Sequence, residues 1–313
     1  MSIFKKILKI LYYPYYIKSL KAFRYLSTAA IEIVGICNYQ CAMCGFSGER
    51  KKGFMSYNLF YNAINQLKKF KVESLALHLY GEPLLHPRLT DVVKHAIRNG
   101  HKIDLYTNGS LLNVSLAEHL IHLGVNQFHI SFIPNKKEYE EIFKGSHYET
   151  VMDNMSNLIK IINKNKLYLQ IRLMTDDEEE YIVYKNMCLE MFGKSISVFY
   201  DRSPFLPVYG QKMDCRYSNN YKYIYPCELV YRSINILWNG DVVPCCFDVN
   251  GLLVMGNIKE NCLSDIWNNE RYVELRRRLA KNERLTEPCL NCFARYYKEY
   301  PLISFLKRKI TKL

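Results

Sequence analysis

The first two hundred residues alternate between short apolar runs of strand length and longer segments with helical periodicity. The pattern predicts strands near 31–36, 73–80, 102–107, 126–132, 166–174 and 195–200. Helical patterns lie between them, near 56–70, 88–99, 112–123, 136–163 and 177–192. Because strands that alternate with helices pair in parallel through right-handed crossovers, we predict an α/β fold with a partial, TIM-like (β/α)6 barrel.

The formal net charge of +13 is concentrated at the two ends of the chain. Residues 1–24 hold six basic side chains and residues 301–313 hold four, and neither segment holds an acidic one. The long body between them is close to neutral, so we expect no nucleic-acid partner. Each tail also carries apolar residues at helical spacing. This pattern fits peripheral contact with an anionic membrane surface or a helix packed on the body, and both remain open.

Targeting signals and cysteine content both bear on the compartment. No apolar run reaches the length of a spanning helix, and the N-terminal segment lacks the apolar core and cleavage site of a secretion signal. We therefore expect a cytoplasmic protein, with association at the inner face of the membrane as an open possibility for the tails. In a reducing compartment, eleven cysteines indicate metal binding more than disulfides.

Three of these cysteines, Cys37, Cys41 and Cys44, lie within eight residues. A short loop can direct all three thiolates at one soft metal centre. Three protein ligands suit a cubane iron–sulfur cluster that keeps one iron open to an exogenous ligand, whereas a structural zinc site needs four. A zinc site completed by a distant His or Cys is the alternative interpretation.

The segment Cys37-Asn-Tyr-Gln-Cys41-Ala-Met-Cys44 resembles the cluster loop of radical S-adenosylmethionine (SAM) enzymes, whose open iron binds SAM. Further matches follow in the order expected of that family, each at or after the end of a predicted strand: Gly81-Glu82-Pro83, Thr107-Asn108-Gly109 and Ile130-Ser131. Met43 departs from the pattern, because the family usually has an aromatic residue there. The resemblance implies a 4Fe-4S cluster held by the three cysteines, with SAM as its cosubstrate.

The resemblance also implies roles for side chains at the strand ends. Glu82 is expected to accept a hydrogen bond from the SAM ammonium group, and Asn108 and Ser131 to contact the ribose or the carboxylate. Arg172 is expected to neutralise a carboxylate or to lie near the substrate, with a surface ion pair as the alternative. The carboxyl ends of parallel strands form one rim, so we expect these residues to lie together.

Four more cysteines lie in the last third of the chain: Cys227, Cys245, Cys289 and Cys292. Four thiolates complete either an iron–sulfur cluster or a zinc ribbon. The stretch from Ile236 to Trp267 resembles the SPASM extension of radical SAM enzymes, in its one-cluster twitch form because no cysteine follows Cys292. The resemblance implies a second, auxiliary 4Fe-4S cluster, with Cys245 as ligand and the adjacent Cys246 on the opposite face.

These observations divide the chain into five segments. We expect a basic amphipathic segment at 1–26, a radical SAM core at 27–200, a connector at 201–226, a small cysteine-rich SPASM/twitch domain at 227–297 and a basic tail at 298–313. Within the cysteine-rich segment, Asn239-Gly240 between two short apolar runs predicts a hairpin, because both residues tolerate positive φ.

The resemblance implies an oxidoreductase that cleaves SAM to a 5′-deoxyadenosyl radical, abstracts a substrate hydrogen atom and passes an electron to the auxiliary cluster. Among twitch proteins this resembles dehydrogenases that oxidise an alcohol of a sugar or aminocyclitol. Return of a hydrogen atom from Cys215 would instead make an epimerase. Peptide or protein modification, including the sulfatase-maturase type, is a further alternative, as is a non-catalytic zinc-stabilised binding protein. The expected partners are a small-molecule or peptide substrate and a reductant such as flavodoxin or ferredoxin.

Overall fold

A computed structural model gives the fold of most of the chain. It describes residues 20–21, 26, 28–42, 44, 50–125, 127–165, 168–175, 177–193, 196–201, 227, 229–281, 283, 285–290 and 292. Cys215, nearly all of the predicted N-terminal segment and connector, and the whole C-terminal tail lie outside these residues. Within the described part of the chain, every helix is too short or too polar to span a lipid bilayer.

One mixed sheet organises the described residues, with nine strands in the order β6-β5-β4-β3-β2-β1-β7-β8-β9. In chain order they are β1 Thr28–Ile31, β2 Ser74–Ala76, β3 Lys102–Thr107, β4 Gln127–Phe132, β5 Tyr168–Met174, β6 Ile196–Asp201, β7 Ile234–Ile236, β8 Asp241–Val243 and β9 Gly256–Asn257. The first six strands are all parallel. The sheet stays open between its two edge strands, so the predicted partial barrel is confirmed.

In the described part of the chain, the first six helices connect the six parallel strands, as βαβ units require, and three more follow β6. In chain order they are α1 Tyr57–Leu67, α2 Leu89–Arg98, α3 Val114–Leu123, α4 Lys136–Ile142, α5 Tyr148–Asn165, α6 Glu178–Phe192, α7 Leu229–Arg232, α8 Leu263–Ile266 and α9 Glu270–Lys281. Burial alternates along the strands. In β3, Ile103 and Leu105 are completely buried, whereas Asp104 and Tyr106 are only half-buried on the opposite face. We call that second face, turned away from the helices, the inner face.

Three predicted elements differ from the observed ones, and the first is the strand predicted at 73–80, which is the three-residue β2, Ser74–Ala76. The helix predicted at 136–163 is two helices, α4 and α5, because Gly145 between them adopts a φ of +83° that ends the first. The first strand ends at Ile31 instead of residue 36. Beyond Ile31 the chain leaves the sheet ladder, and Val34 forms an isolated bridge with Phe54.

The predicted hairpin is present as β7 and β8, with Gly240 at a φ of +94°. It joins the barrel directly, because β7 pairs in parallel with the free side of β1. Trp238, at the end of β7, packs against the backbone at Gly35 and Gly53, where an added Cβ would lie 2.3 Å and 2.4 Å from its ring. Its indole Nε1 donates to the Lys51 carbonyl at 3.1 Å. The C-terminal cysteine region is therefore fastened to the segment that follows the first cysteine loop.

A buried ion pair strengthens the same junction. Glu32, directly after β1, is completely buried and accepts from Arg50 Nη1 at 2.8 Å. The same carboxylate accepts the backbone N–H of Trp238 at 3.3 Å. Because a buried charge is costly without its partner, Glu32 and Arg50 hold the barrel, the cysteine loop and the hairpin in one arrangement.

Candidate active site at the carboxyl edge of the barrel

The first cysteine loop begins at the carboxyl end of β1, where the bend after Ile31 directs it across the sheet. Two backbone hydrogen bonds fasten it to the end of α4: Gln40 N–H donates to Lys144 O, and Ala42 N–H donates to Ile142 O, both at 2.8 Å. Within the loop, Tyr39 N–H donates to the sulfur of Cys37 at 3.4 Å. The loop is thus held in place by the protein itself.

The three thiols of this loop are electrostatic neighbours. Burial raises the pKa of Cys37 to about 11, and the charges of Glu82 and Cys44 add to the rise. Burial also raises the pKa of Cys41 to about 12, with further contributions from Cys44 and Cys37. Part of each rise comes from the other cysteines of the loop, so the three sulfur atoms lie near one another, and clustered cysteine sulfurs are the soft donors that iron binds. These residues therefore fit a cluster with three protein ligands.

Glu82 is 2% exposed and ties together the ends of β2 and β3. Its Oε1 accepts from Leu84 N–H at 3.0 Å and from the Thr107 hydroxyl at 2.8 Å, and its Oε2 accepts from Asn108 N–H at 2.9 Å. Burial raises the pKa of Glu82 to about 7, against the lowering effect of these donors. The carboxylate positions the rim, and its predicted contact with SAM remains a prediction.

Asn108 lies beside the cysteine loop. Its Nδ2 donates to Asn38 Oδ1 at 2.9 Å, and its Oδ1 accepts from the Ser110 hydroxyl at 2.7 Å. Ser131 and Arg172 are register partners on β4 and β5, so they form a second polar pair along the same rim. The rim thus brings together the residues predicted from the sequence, while their contacts with SAM remain predictions.

The second cysteine group surrounds one cavity. Cys227, Cys245, Cys289 and Cys292 line it together with apolar residues that include Val230, Leu279 and Pro288. Burial raises the pKa of Cys245 well above its usual value, and the charges of Cys246, Cys227, Cys292 and Cys289 contribute. Cys246 is exposed and is not among the lining residues. Four thiolates around an apolar cavity fit the ligand set of an iron–sulfur cluster, with Cys245 as the member of the adjacent pair that faces it.

No three His, Cys, Asp or Glu side chains in the described ranges converge as ligands of a single metal ion. Tyr80 directly precedes the Gly81-Glu82-Pro83 motif, and its hydroxyl donates to the backbone carbonyl of Cys246. This hydrogen bond joins the segment after β2 to the residue next to Cys245.

Comparison with known families decides what these groups are. Residues 31–183 match the model of the radical SAM superfamily, and residues 227–293 match SPASM, an iron–sulfur cluster-binding domain. The chain is a radical SAM protein with a SPASM domain. The predicted family and enzyme class are confirmed. Radical SAM domains bind a 4Fe-4S cluster and SAM, and SPASM domains bind auxiliary iron–sulfur clusters, so the predicted cofactors are confirmed as well.

Two curated relatives span most of this radical SAM protein. It is 24% identical to the tungsten-containing aldehyde ferredoxin oxidoreductase cofactor-modifying protein of Pyrococcus furiosus, over 85% of this chain and 86% of that one. It is 25% identical to the S-adenosyl-L-methionine-dependent 2-deoxy-scyllo-inosamine dehydrogenase of Niallia circulans, over 85% of this chain and 92% of that one.

Solved structures share the fold. BtrN in complex with AdoMet and 2-DOIA aligns with a TM-score of 0.53 at 21% identity, over 82% of this chain and 87% of that one. SuiB of Streptococcus suis bound to precursor peptide SuiA aligns with a TM-score of 0.65 at 14% identity, over 98% of this chain and 79% of that one. At these identities the similarity establishes the architecture alone.

Sequence reasoning missed several residues of the site. Thr107, Tyr80 and the pair of Glu32 with Arg50 act through contacts between distant segments, which motif spacing does not reveal. His78, Tyr106 and His129 also lie on the inner face, next to the predicted residues. The sequence holds a signal for two of them, because residues two apart on a strand share a face. Tyr106 lies two residues before Asn108, and His129 lies two residues before Ser131.

Proposed function

We propose that this radical SAM enzyme oxidises a secondary alcohol of a sugar or cyclitol to a ketone. The observation that carries the proposal is the second cavity, where four cysteines supply every ligand that one cluster needs. A cluster without an open coordination site suits electron transfer better than substrate binding. The dehydrogenase from Niallia circulans, similar over most of both chains, has 2-deoxy-scyllo-inosamine as its named substrate.

The protein side chains bind, orient and shield the reactants. Cys37, Cys41 and Cys44 hold the first cluster in the proposal, and Glu82 and Asn108 shape the rim where SAM binds. Ser131 and Arg172 lie beside it toward the substrate. With both groups bound, the first cluster and SAM would supply a 5′-deoxyadenosyl radical to take the carbinol hydrogen atom, and the second cluster would supply an acceptor for one electron. The hydroxyl releases its proton, which completes the two-electron oxidation.

Anaerobic reconstitution with SAM and a reductant tests this function. We expect the parent to contain about eight iron atoms per chain and to form 5′-deoxyadenosine and ketone in equal amounts from a cyclitol such as 2-deoxy-scyllo-inosamine. Cys41→Ala is expected to lose about half of the iron and all 5′-deoxyadenosine formation. Cys289→Ala is expected to retain 5′-deoxyadenosine formation and to lose the ketone.

The exposed Cys262 provides the matched control, because it lies in neither cysteine group. Cys262→Ala is expected to keep the iron and both products. Ketone formation by Cys289→Ala at the parent's rate contradicts the proposed role of the second cluster. Full 5′-deoxyadenosine formation by Cys41→Ala contradicts the assignment of the first.

Peptide modification is the second candidate, and the peptide-bound SuiB structure, which shares the architecture, is the observation behind it. Product formation from a peptide, and none from any polyol, supports it over alcohol oxidation. Flavodoxin or ferredoxin as reductant, Cys215 as a hydrogen donor and membrane contact through the basic tails also remain predictions. Sedimentation with anionic vesicles, for the full chain and for a variant lacking residues 1–24, tests the membrane contact.

A further inference from the structure

Three aromatic rings stack on the inner face of the sheet, below the rim. The ring centroids of His78 and Tyr106 are 4.1 Å apart. Those of Tyr106 and His129 are 4.0 Å apart, with planes inclined by only 4°. Gln170 on β5 extends the row, because its Oε1 lies 2.9 Å from His129 Nδ1. We call His78, Tyr106, His129 and Gln170 the inner layer.

Strand register places the inner layer directly next to the predicted SAM and substrate residues. His129 is the register partner of both Tyr106 and Gln170, and two residues further along the same strands Ser131 is the partner of Arg172. Residues two apart on a strand share a face, so Ser131 and Arg172 lie one step closer to the rim. The Arg172 guanidinium carbon is 5.1 Å from the centroid of the Tyr106 ring.

Two nitrogen atoms of the inner layer lack a hydrogen-bond partner in the described structure. They are Nδ1 of His78 and Nε2 of His129, and both are buried. His129 as a whole is 4% exposed. Because Gln170 Oε1 accepts from its Nδ1, the proton of the neutral ring lies on Nδ1 and the lone pair on Nε2. A buried acceptor without a donor is unfavourable, and the hydroxyl group of a ligand would supply the missing donor.

The surroundings keep both rings neutral at physiological pH. Burial lowers the pKa of His78 to about 3, and the charges of Arg172 and His129 contribute. Burial also lowers the pKa of His129, and Arg172 acts in the same direction, while the bond to Gln170 and the charge of Asp104 oppose it. The inner layer therefore presents two buried, uncharged imidazole nitrogens beside the Arg172 cation, and Nε2 of His129 is an acceptor.

We propose that the inner layer binds the hydroxyl groups of a polyhydroxylated substrate, through Nε2 of His129 and Nδ1 of His78, with Arg172 as the donor above them. A hydroxyl group both donates to an imidazole nitrogen and accepts from a guanidinium. A carboxylate has no proton to donate to Nε2 of His129, and a hydrocarbon leaves both nitrogens without a hydrogen-bond partner. This inference rests on the proposed alcohol oxidation and adds the residues that recognise the substrate.

Binding measurements on the reconstituted, SAM-loaded enzyme without reductant test the inference independently of turnover. The probes are myo-inositol, D-glucose and 2-deoxy-scyllo-inosamine, with cyclohexanol as the ligand that has a single hydroxyl. We expect at least one polyol to bind about tenfold more tightly than cyclohexanol. His129→Phe keeps an aromatic ring in the stack and removes the acceptor. We expect this variant to bind that polyol about tenfold more weakly and to keep the Kd of SAM within twofold of the parent's.

His101 offers a matched control at the other end of β3. It is 5% exposed, its Nδ1 lies 2.9 Å from the carbonyl oxygen of Val72, and its Nε2 also lacks a partner in the described structure. His101→Phe is expected to leave the Kd of the polyol within twofold. If His129→Phe does not fold, His78→Phe removes the second unpartnered nitrogen and has the same expected effect.

Four outcomes decide between this inference and its alternatives, and the last two separate it from the proposed function. Equal polyol binding by the parent and a folded His129→Phe or His78→Phe variant overturns the inference, as does a parent that binds no polyol better than cyclohexanol. A parent that forms 5′-deoxyadenosine but binds no polyol retains its radical SAM chemistry and loses the inner-layer role. A parent whose polyol affinity depends on His129 but which forms no ketone supports the inner-layer role and contradicts the proposed oxidation.

Discussion

Gly81 occupies a position where any side chain collides with the segment that leads into the first cysteine loop. An ideal Cβ on residue 81 lies 1.9 Å from the carbonyl oxygen of Val34 and 2.7 Å from that of Ile36. Cβ atoms in real proteins essentially never approach other heavy atoms closer than 3.0 Å. The backbone at Val34 must therefore move by about 1 Å to admit alanine, because the packed core offers no free volume.

The energetic cost of Gly81→Ala has two parts. Forcing a methyl group into a packed region costs about 1–3 kcal/mol. The movement also disrupts the hydrogen bond from Glu82 N–H to Ile36 O, which measures 2.9 Å and adds about 1 kcal/mol. We expect the free energy of unfolding to fall by about 3 kcal/mol. Cys37 directly follows Ile36, so we also expect the variant to take up less iron.

Calorimetry of the anaerobically reconstituted protein measures the effect. For a chain of this size, about 3 kcal/mol lowers the Tm by about 5 °C. Gly100→Ala is the control, since a Cβ there meets no atom within 4 Å and the cost comes only from its φ of +86°. That cost is about 1 kcal/mol, or about 2 °C. A Gly81→Ala protein that melts within 2 °C of the parent and binds the parent's iron refutes the reasoning.

Three further predictions concern other buried groups. Glu32→Gln leaves the Arg50 charge poorly compensated and should lower the free energy of unfolding by about 3 kcal/mol. Asp91→Asn, which breaks an exposed ion pair, should lower it by under about 0.5 kcal/mol. Urea denaturation of both variants measures the difference. The pKa of His78 is lowered to about 3 in the fold, so only the unfolded chain takes up its proton as pH falls below about 6.5. The free energy of unfolding should then drop by about 2 kcal/mol between pH 7 and pH 5, and His78→Phe should flatten that part of the profile; an unchanged slope contradicts the assignment. Arg276→Lys replaces a completely buried guanidinium that donates to four oxygen atoms, and should lower the Tm by about 4 °C; a shift under 1 °C contradicts this.

Local patterns predicted most of the barrel. The alternating strands and helices indicated six parallel strands, and β3 lies where the sequence placed it, because its alternation of apolar and polar residues is complete. The pattern was less informative where the tertiary structure overrides it. Apolar residues at 31–36 continue the strand pattern, yet β1 ends at Ile31, and the chain beyond it packs against the distant Trp238 at Gly35.

The cysteine spacing and the motifs at the strand ends determined the chemistry of this protein, since donor type and loop length belong to the local chain. Burial and proximity depend on neighbours that are tens to hundreds of residues away. Only the tertiary structure decided that Glu82 is enclosed by donors from β3, and that four distant cysteines share one cavity. It alone placed His78 and His129 on either side of Tyr106, because strand register, which no local pattern specifies, brings the three rings into one stack.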